Sequence, residues 1–218
     1  MALSLNLADI RKSYTQQELS ENNIKDNPFT QFEEWLQEAL NAQAAEPTAM
    51  VLSTISAEGK PSARVVLLKA LEKDQFIFFT NYNSRKGTDL GENAFAALTF
   101  FWPELERQVR IEGQVEQVST EVSDTYFQSR PRGSQIGAWV SPQSKVVENR
   151  QTLEKVTEEF QQKFGEAELI PRPPHWGGYA LLPAYIEFWQ GRPNRLHDRL
   201  VFRRAADKTS WQLSRLAP

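Results

Sequence analysis

Residues 107–118 read RQVRIEGQVEQV, an alternation of apolar and polar side chains that is typical of a half-buried β-strand. Val109, Ile111, Gly113 and Val115 fall on one face of this segment, and the polar residues between them fall on the other. We therefore predict a strand that turns one face to the core and the other to water or to a ligand.

Shorter strand signals continue on both sides of this segment. They are runs rich in β-branched and aromatic residues at 49–55, 64–69, 76–80 and 96–102, and again at 178–182, 186–190, 200–203 and 211–213. Helical signals occur from Pro28 to near Ala45, after Ser84 through Leu90, from Thr120 to about Ser129, and along the stripe Leu153, Val156, Phe160 and Phe164. Many short strands with few helices predict a mainly β protein with flanking helices, an α+β fold built on a barrel or a sandwich.

The length of 218 residues suits one substantial core. The first 27 residues are polar and weakly periodic, and Arg11-Lys12-Ser13-Tyr14 is their one concentrated patch. We predict a mobile N-terminal arm over residues 1–27 and a single domain over residues 28–218.

The composition excludes several classes of chemistry. The absence of cysteine removes thiolate nucleophiles, disulfides and cysteine-ligated metals, and two histidines are too few for a multi-histidine metal site. A carboxylate-rich magnesium site is the one alternative left, and we expect no metal. A net charge of −3 argues against a general nucleic-acid binder. Because the sequence shows neither a signal peptide nor a long apolar run, we expect a cytoplasmic protein with no membrane segment.

Basic residues nevertheless gather in four places. Residues 189–199, WQGRPNRLHDR, hold three arginines, a histidine and a tryptophan, and Arg64 and Lys69 flank a run of four apolar residues. The other two groups are Ser84-Arg85-Lys86 and the set Tyr126, Arg130, Arg132 and Ser134. Arginine offers a planar fork of donors that matches phosphate oxygens, although each group alone also fits a solvated surface with ion pairs.

The spacing within these groups refines the interpretation. At Ser84-Arg85-Lys86, the free amides of a helix start together with two cations favour a phosphate site over a simple exposed turn. Arg64 and Lys69 are an odd number of residues apart, so in regular strand geometry they point to opposite faces and need not hold the same group. Tyr126 and Arg130 share a helical face, and their group ends in a loop at Ser134. Two or more phosphate sites with nearby aromatic residues most simply indicate FMN and a phosphorylated substrate.

Several motifs together resemble those of the pyridoxine/pyridoxamine 5′-phosphate oxidases, a family of FMN enzymes that make pyridoxal 5′-phosphate. The motifs are RVVLLK at 64–69, Asn81 with SRK at 84–86, LERQV at 105–109, SRPR at 129–132 with SQIGAW at 134–139, and EFWQG at 187–191 with RLHDR at 195–199. The resemblance spans nearly the whole chain, from Arg11 to Pro218. It implies an FMN-binding split β-barrel of Greek-key type, assembled as a homodimer with FMN at the subunit interface.

The resemblance also implies which residues form the site. FMN would be lined by Arg64, Val65, Val66, Leu67, Leu68, Lys69, Phe79, Thr80, Arg85, Lys86, Gln108, Gln143, Ser144, Trp189 and Arg199. The substrate phosphate would be held by Lys69, Tyr126, Arg130 and Ser134, and the substrate ring by Arg195, Leu196 and His197, of which Arg195 and His197 would be catalytic. Arg11, Lys12, Ser13 and Tyr14 would close the site as an arm.

The implied reaction oxidises pyridoxine 5′-phosphate or pyridoxamine 5′-phosphate to pyridoxal 5′-phosphate. A hydride passes from the exocyclic carbon of the substrate to the flavin, and oxygen is reduced to hydrogen peroxide. Two alternatives stay open at this point: a split-barrel flavin reductase that acts on another substrate, and a non-catalytic protein that binds FMN or pyridoxal phosphate.

Overall fold

The computed structural model describes residues 13–207 and 209–218, and these residues form nine strands and five α-helices. The helices are α1 (Pro28–Asn41), α2 (Arg85–Glu92), α3 (Thr120–Ser129), α4 (Arg132–Val140) and α5 (Arg150–Phe164). The strands are β1 (Ala49–Ile55), β2 (Pro61–Leu67), β3 (Ala70–Glu72), β4 (Gln75–Asn81), β5 (Phe95–Trp102), β6 (Arg107–Gln117), β7 (Trp176–Gln190), β8 (Asp198–Arg204) and β9 (Trp211–Arg215). Each of these helices is too short or too polar to cross a lipid bilayer.

The strands form one sheet in the order β2-β1-β5-β6-β7-β4-β3, with β8 paired to β7 and β9 paired to β8. The predicted alternation of β6 is confirmed, because Val109, Ile111, Gly113 and Val115 are buried and the residues between them are half-buried or exposed. Gly113 is required by a close approach of backbones: a Cβ atom at this position would lie 2.0 Å from the carbonyl oxygen of Leu182.

Strand β7 is a single element where the sequence predicted two. It pairs with β4 over residues 176–181 and with β8 over residues 185–190. Pro183 lies between these two registers, and since proline has no N–H to donate, its position explains why the sequence signal breaks there although the strand does not.

Three local predictions were wrong. Helix α1 ends at Asn41, before the predicted Ala45, because Gln43 adopts a left-handed conformation with φ of 54°. Helix α4 occupies the region around Ser134 that was predicted as a loop. Strand β2 ends at Leu67, so Lys69 lies beyond it and the rule of alternating faces does not apply to Arg64 and Lys69.

The chain divides into two compact units. The first unit comprises the described part of Met1–Pro47 together with Thr99–Ile111 and Tyr185–Pro218, and the second comprises Thr48–Leu98 and Glu112–Ala184. In the first unit, α1 buries Phe32 against Phe100 and Trp35 against Phe188, with ring centroids 5.0 and 5.2 Å apart. Arg107, which is 3% exposed, stacks over Trp35 and donates to Glu38 and Gln190.

The second unit holds a separate cluster of buried apolar side chains around helices α3, α4 and α5. Phe127, Ile136, Phe164, Ile170 and Trp176 belong to it. Gln135 on α4 is also buried and donates to the carbonyl oxygen of Phe127, which fixes α4 on the end of α3. This packing determines where Arg130, between the two helices, presents its side chain.

Candidate functional site

A cavity of about 340 Å³ lies in the second unit, and we call it the cationic cavity. Its lining comes from β2, the segment after β2, β4, α2, α3, the junction of α3 and α4, the loop after α4 and the start of β7. The lining residues are Arg64, Val65, Val66, Leu67, Lys69, Phe79, Thr80, Lys86, Tyr126, Arg130, Gln143 and Trp176. Eleven of these twelve are among the residues that the family resemblance implied for the flavin and the substrate phosphate.

Of the cations that line this cavity, Arg64 and Lys86 are close enough to affect each other, and the exposed Arg85 lies nearby. Burial and the charge of Arg64 lower the pKa of Lys86 from its ordinary value to about 8. Burial also lowers the pKa of Arg64, and the charge of Arg85 lowers it further, while Asp89 opposes both. Burial is the larger cause of both shifts, and the repulsion of Arg64 by Lys86 and by Arg85 adds to it, so a bound anion would stabilise the charged forms of these side chains.

The start of α2 holds Lys86 in place. Ser84 is fully buried and caps the helix, because its Oγ accepts from the backbone N–H of Gly87 at 3.3 Å. The Lys86 Nζ donates to the Ser84 Oγ at 3.2 Å and to the Gln143 Oε1 at 2.8 Å. The Thr80 Oγ1 also donates to the Gln143 Oε1, at 3.3 Å, so the amide of Gln143 joins the loop after α4 to β4 and α2.

Phe79, Tyr126 and Trp176 form an aromatic stack in the same cavity. Phe79 and Tyr126 lie 3.9 Å apart between ring centroids with an interplanar angle of 17°, and Trp176 is parallel to Tyr126 within 6°. Trp176 did not stand out in the sequence, because it follows the proline-rich residues 171–174 and His175, where no strand was predicted. Tyr126 is half-buried, and burial raises the pKa of its hydroxyl, which keeps it protonated and able to donate.

Arg130 lies against this stack. Its guanidinium carbon is 4.5 Å from the centroid of the Trp176 ring, and its Nη1 is buried with no hydrogen-bond partner among the described residues. A buried donor without an acceptor is costly, by about 1–3 kcal/mol. Ser134 lies at a neighbouring cavity of about 210 Å³ that Arg130, Gln143 and Trp176 also line.

The first unit holds the second candidate group, at residues 189–199. The ring of His197 lies 4.7 Å from the ring of Trp189 and 5.6 Å from that of Tyr14, between centroids. The backbone N–H of Arg192 donates to the His197 Nδ1 at 3.0 Å, so the neutral ring carries its proton on Nε2. Burial and the charge of Arg195 lower the pKa of His197, against the opposing charge of Asp198, and the ring is therefore neutral at pH 7.

The three arginines of this segment have different environments. Arg192 donates to the carbonyl oxygen of Gln17 and pairs with Glu18 and Asp198. Arg199 donates through Nε to Glu187 at 2.8 Å. Arg195 is exposed, and it follows Asn194 in a left-handed turn in which φ is 57° for Asn194 and 62° for Arg195.

Glu187 is 1% exposed and acts as the anchor of Arg199. Burial works to raise its pKa, but hydrogen bonds from Arg199 and Tyr185 and the charges of Arg199 and Arg110 outweigh burial and hold the pKa below its ordinary value. The carboxylate is thus ionised at neutral pH and fixes one nitrogen of the Arg199 guanidinium.

The segment after residue 12 runs next to this group in the first unit. The backbone N–H groups of Thr15 and Gln16 donate to the Glu106 Oε2 at 2.9 and 3.2 Å, and that of Leu19 donates to the Asp198 Oδ2 at 3.1 Å. These bonds place Tyr14 at the rings of Trp189 and His197. Of the predicted arm residues, Ser13 and Tyr14 are described, whereas Arg11 and Lys12 lie outside the described residues.

The remaining predicted residues do not line the cationic cavity. Leu68 is buried in the core, and Arg85 and Ser144 are exposed. In the first unit, Gln108 is half-buried and Leu196 is 69% exposed. Trp189 and Arg199 also belong to the first unit.

Comparison with known proteins assigns the chain to a family. Residues 36–164 match the family model described as pyridoxamine 5′-phosphate oxidase, and residues 176–218 match the pyridoxine 5′-phosphate oxidase C-terminal dimerisation region. The chain belongs to the pyridoxamine 5′-phosphate oxidase family. It is therefore an oxidoreductase of a family that uses FMN, and the matched dimerisation region supports a homodimer.

Curated relatives of this family extend over the full chain. A pyridoxine/pyridoxamine 5′-phosphate oxidase of a Cyanothece species is 55% identical over 216 residues, which are 99% of this chain and 100% of the relative. The enzyme of the same description from Burkholderia thailandensis is 55% identical over 213 residues, which are 97% of this chain and 99% of the relative.

Solved structures of similar proteins share the fold. PhzG from Burkholderia lata, crystallised with tetrahydrophenazine-1-carboxylic acid, aligns with a TM-score of 0.87 at 29% identity and covers 95% of this chain and 100% of its own. A pyridoxamine 5′-phosphate oxidase-related, FMN-binding protein from Nostoc punctiforme aligns with a TM-score of 0.69 at 16% identity, with 88% and 98% covered. The predicted mainly β split-barrel fold is thereby confirmed.

Proposed function

We propose that this chain oxidises pyridoxine 5′-phosphate or pyridoxamine 5′-phosphate to pyridoxal 5′-phosphate. FMN, when bound, would supply the acceptor for a hydride from the exocyclic carbon of the substrate, and oxygen would be the final electron acceptor, giving hydrogen peroxide. The observation that carries the proposal is the cationic cavity, which combines Arg64 and Lys86, and separately Lys69 and Arg130, with an aromatic stack. A flavin mononucleotide and a pyridine phosphate together need these features.

The residues present fit FMN. A phosphate between Arg64 and Lys86 would offset the burial and the mutual repulsion that lower their pKa values, and it would accept hydrogen bonds from both. We assign this phosphate to FMN because Lys86 lies in the first turn of α2, next to Arg85 and to the helix cap Ser84. The start of a helix favours a phosphate group. In the proposed homodimer, FMN lies at the subunit interface, and Gln108, Trp189 and Arg199 complete its site.

The second set of donors fits the phosphate of the substrate. The Arg130 Nη1 lacks a partner in the described structure, and Lys69 and the Tyr126 hydroxyl line the same cavity. A phosphate oxygen at the Arg130 Nη1 would satisfy this buried donor. Ser134 at the neighbouring cavity would add a hydroxyl, and the aromatic stack would position the pyridine ring.

We assign the orientation of the reacting carbon to Arg195 and His197. Because the Nδ1 of His197 already accepts a hydrogen bond, its Nε2–H is the group left to face a ligand, and the ring would act as a donor. The exposed guanidinium of Arg195 would contact the substrate on the same side. We further propose that residues 11–14 act as an arm that closes over the substrate. Residues 28–218 would act together as a single domain.

The pKa of Lys86 makes the affinity for FMN depend on pH. Below pH 8 Lys86 is charged and ready for a phosphate, which is a dianion above about pH 6. Above pH 8 the free protein loses this proton and must recover it on binding, so the dissociation constant should rise with pH, by about tenfold per unit at most. Flavin fluorescence titrations from pH 7 to 9.5 measure this effect.

The variant Lys86→Met provides the control for the pH effect. We expect it to bind FMN more weakly at pH 7 and to lose the rise in dissociation constant above pH 8. A variant whose pH profile still matches that of the wild type would assign the titration to another group.

The reaction itself is tested by the visible spectrum of the FMN-loaded protein without oxygen. Addition of pyridoxine 5′-phosphate should bleach the flavin band, and admission of air should restore it with formation of hydrogen peroxide. An unchanged flavin band would indicate a flavoprotein with another substrate, and failure to retain FMN would contradict the proposed function altogether.

A further inference from the structure

The guanidinium of Arg64 is held by a chain of hydrogen bonds that ends at the carboxylate of Asp89 on α2. Its Nη1 donates to the carbonyl oxygen of Leu52 at 3.1 Å and to the Thr54 Oγ1 at 2.7 Å, and its Nη2 donates to the Ser62 Oγ at 2.7 Å. The Nη2 also lies 3.7 Å from the Asp89 Oδ2. These contacts occupy Nη1 fully and leave Nε–H without a partner among the described residues.

Asp89 determines which way the hydrogen bonds of Thr54 run from donor to acceptor. The Thr54 Oγ1 donates to the Asp89 Oδ2 at 2.6 Å, and both side chains are buried, with 0% and 4% of their surface exposed. An ionised carboxylate only accepts hydrogen bonds, so the single hydroxyl proton of Thr54 points to Asp89. The lone pairs of the Thr54 oxygen therefore face Arg64, which is the arrangement that a cation requires.

Asp89 also counters the repulsion among the cations. Arg85 and Lys86 lie on α2, one turn before Asp89, and their charges push against that of Arg64. The carboxylate of Asp89 is the charge that attracts Arg64. Without this attraction, Arg64, which keeps 19% of its side-chain surface exposed, would move away from Lys86 and into solvent.

We propose that Asp89, acting through Thr54, positions Arg64 and thereby gives the flavin site its preference for phosphorylated flavin over riboflavin. The proposal rests on the proposed function, in which Arg64 and Lys86 bind the phosphate of FMN. Asp89 does not line the cationic cavity and acts through its contacts with Thr54 and Arg64, so it is a positioning residue.

Electrostatics alone predicts that removal of the Asp89 charge strengthens FMN binding, whereas positioning of Arg64 predicts that it weakens FMN binding. Asp89 is a buried negative charge near an anion site, and its removal raises the local positive potential. If Asp89 acted only through its field, the variant Asp89→Asn would bind FMN more tightly. If it positions Arg64, the same variant binds FMN more weakly, so the sign of the change separates the two roles.

The experiment compares the dissociation constants of FMN and riboflavin for the full-length protein and Asp89→Asn, by flavin fluorescence. We expect FMN binding to weaken about tenfold, the size of one lost charge-assisted contact, with riboflavin binding unchanged. The control is Glu92→Gln, which removes a charge from an exposed carboxylate on the same helix and should change neither constant.

Two results with Asp89→Asn overturn the proposal. Tighter or unchanged FMN binding by Asp89→Asn excludes positioning, and an equal loss of FMN and riboflavin indicates a general structural role. Failure of the wild type to bind FMN would instead contradict the proposed function. If Asp89→Asn does not fold, Thr54→Ser, which keeps the hydroxyl, should retain the preference for FMN, and Thr54→Val should lose it.

Discussion

Replacement of Arg195 by leucine should lower turnover by at least about a hundredfold and leave the affinity for FMN nearly unchanged. Arg195 is exposed at the tip of a left-handed turn, so its side chain contributes little to packing. In the proposed reaction it orients the donor carbon, and loss of orientation alone costs on the order of a hundredfold in rate. Steady-state kinetics with pyridoxine 5′-phosphate and a fluorescence titration with FMN measure the two effects.

The matched control is Arg203→Leu, which removes another exposed arginine from the first unit, outside residues 189–199. Its turnover should stay within about threefold of the wild type, as expected for a surface substitution. An equal loss of turnover and of FMN affinity in Arg195→Leu would contradict a catalytic role for Arg195 and would indicate that it binds FMN.

Replacement of Gly113 by alanine should destabilise the fold by about 4 kcal/mol or more, which is at the upper end for a single substitution. The new Cβ would lie 2.0 Å from the carbonyl oxygen of Leu182 and 2.8 Å from the Cα of Pro183, and both are backbone atoms that no rotamer change can move. Strands β6 and β7 would have to separate. Urea denaturation followed by tryptophan fluorescence measures the loss, and a failure to obtain folded protein is the limiting result.

Gly91→Ala is the control because it makes the same chemical change where there is room. Gly91 is exposed near the end of α2, and a Cβ there meets no atom within 4 Å. Alanine is the better helix former, so this variant should gain roughly half a kcal/mol. A Gly113→Ala variant as stable as the wild type would contradict the close approach of the two strands.

The sequence predicted those parts of the fold that depend on local periodicity. The alternation from Val109 to Val115 marked β6, and the stripe from Leu153 to Phe164 marked α5. Helix α4 was missed because its start carries no capping side chain at Pro131 and its length includes Gly133 and Gly137, which favour a loop in isolation. Its stability comes from burial of Ile136 and Ala138, which is a tertiary contact that local sequence does not encode.

The candidate site, too, could be predicted from the sequence only in part. The arginines of residues 189–199 stood out by composition, but their composition could not separate Arg192, which ties down Gln17 and Glu18, from the exposed Arg195. Neither could composition show that Glu187 and Asp89 are buried partners of Arg199 and Arg64, since a single carboxylate near a basic group fits a solvated surface equally well. Trp176 was hidden in the same way until the fold placed it beside Arg130.

Residue 195 lies in a left-handed turn with Asn194, and at this position backbone stability and the proposed function favour different amino acids. Asparagine tolerates this backbone conformation, whereas arginine adopts it at a cost of about 1 kcal/mol that glycine would avoid. A library screened only for heat resistance would therefore enrich glycine at residue 195 and discard the side chain that the proposed reaction needs. Persistence of arginine there in an evolving lineage would be a record of continued enzymatic use.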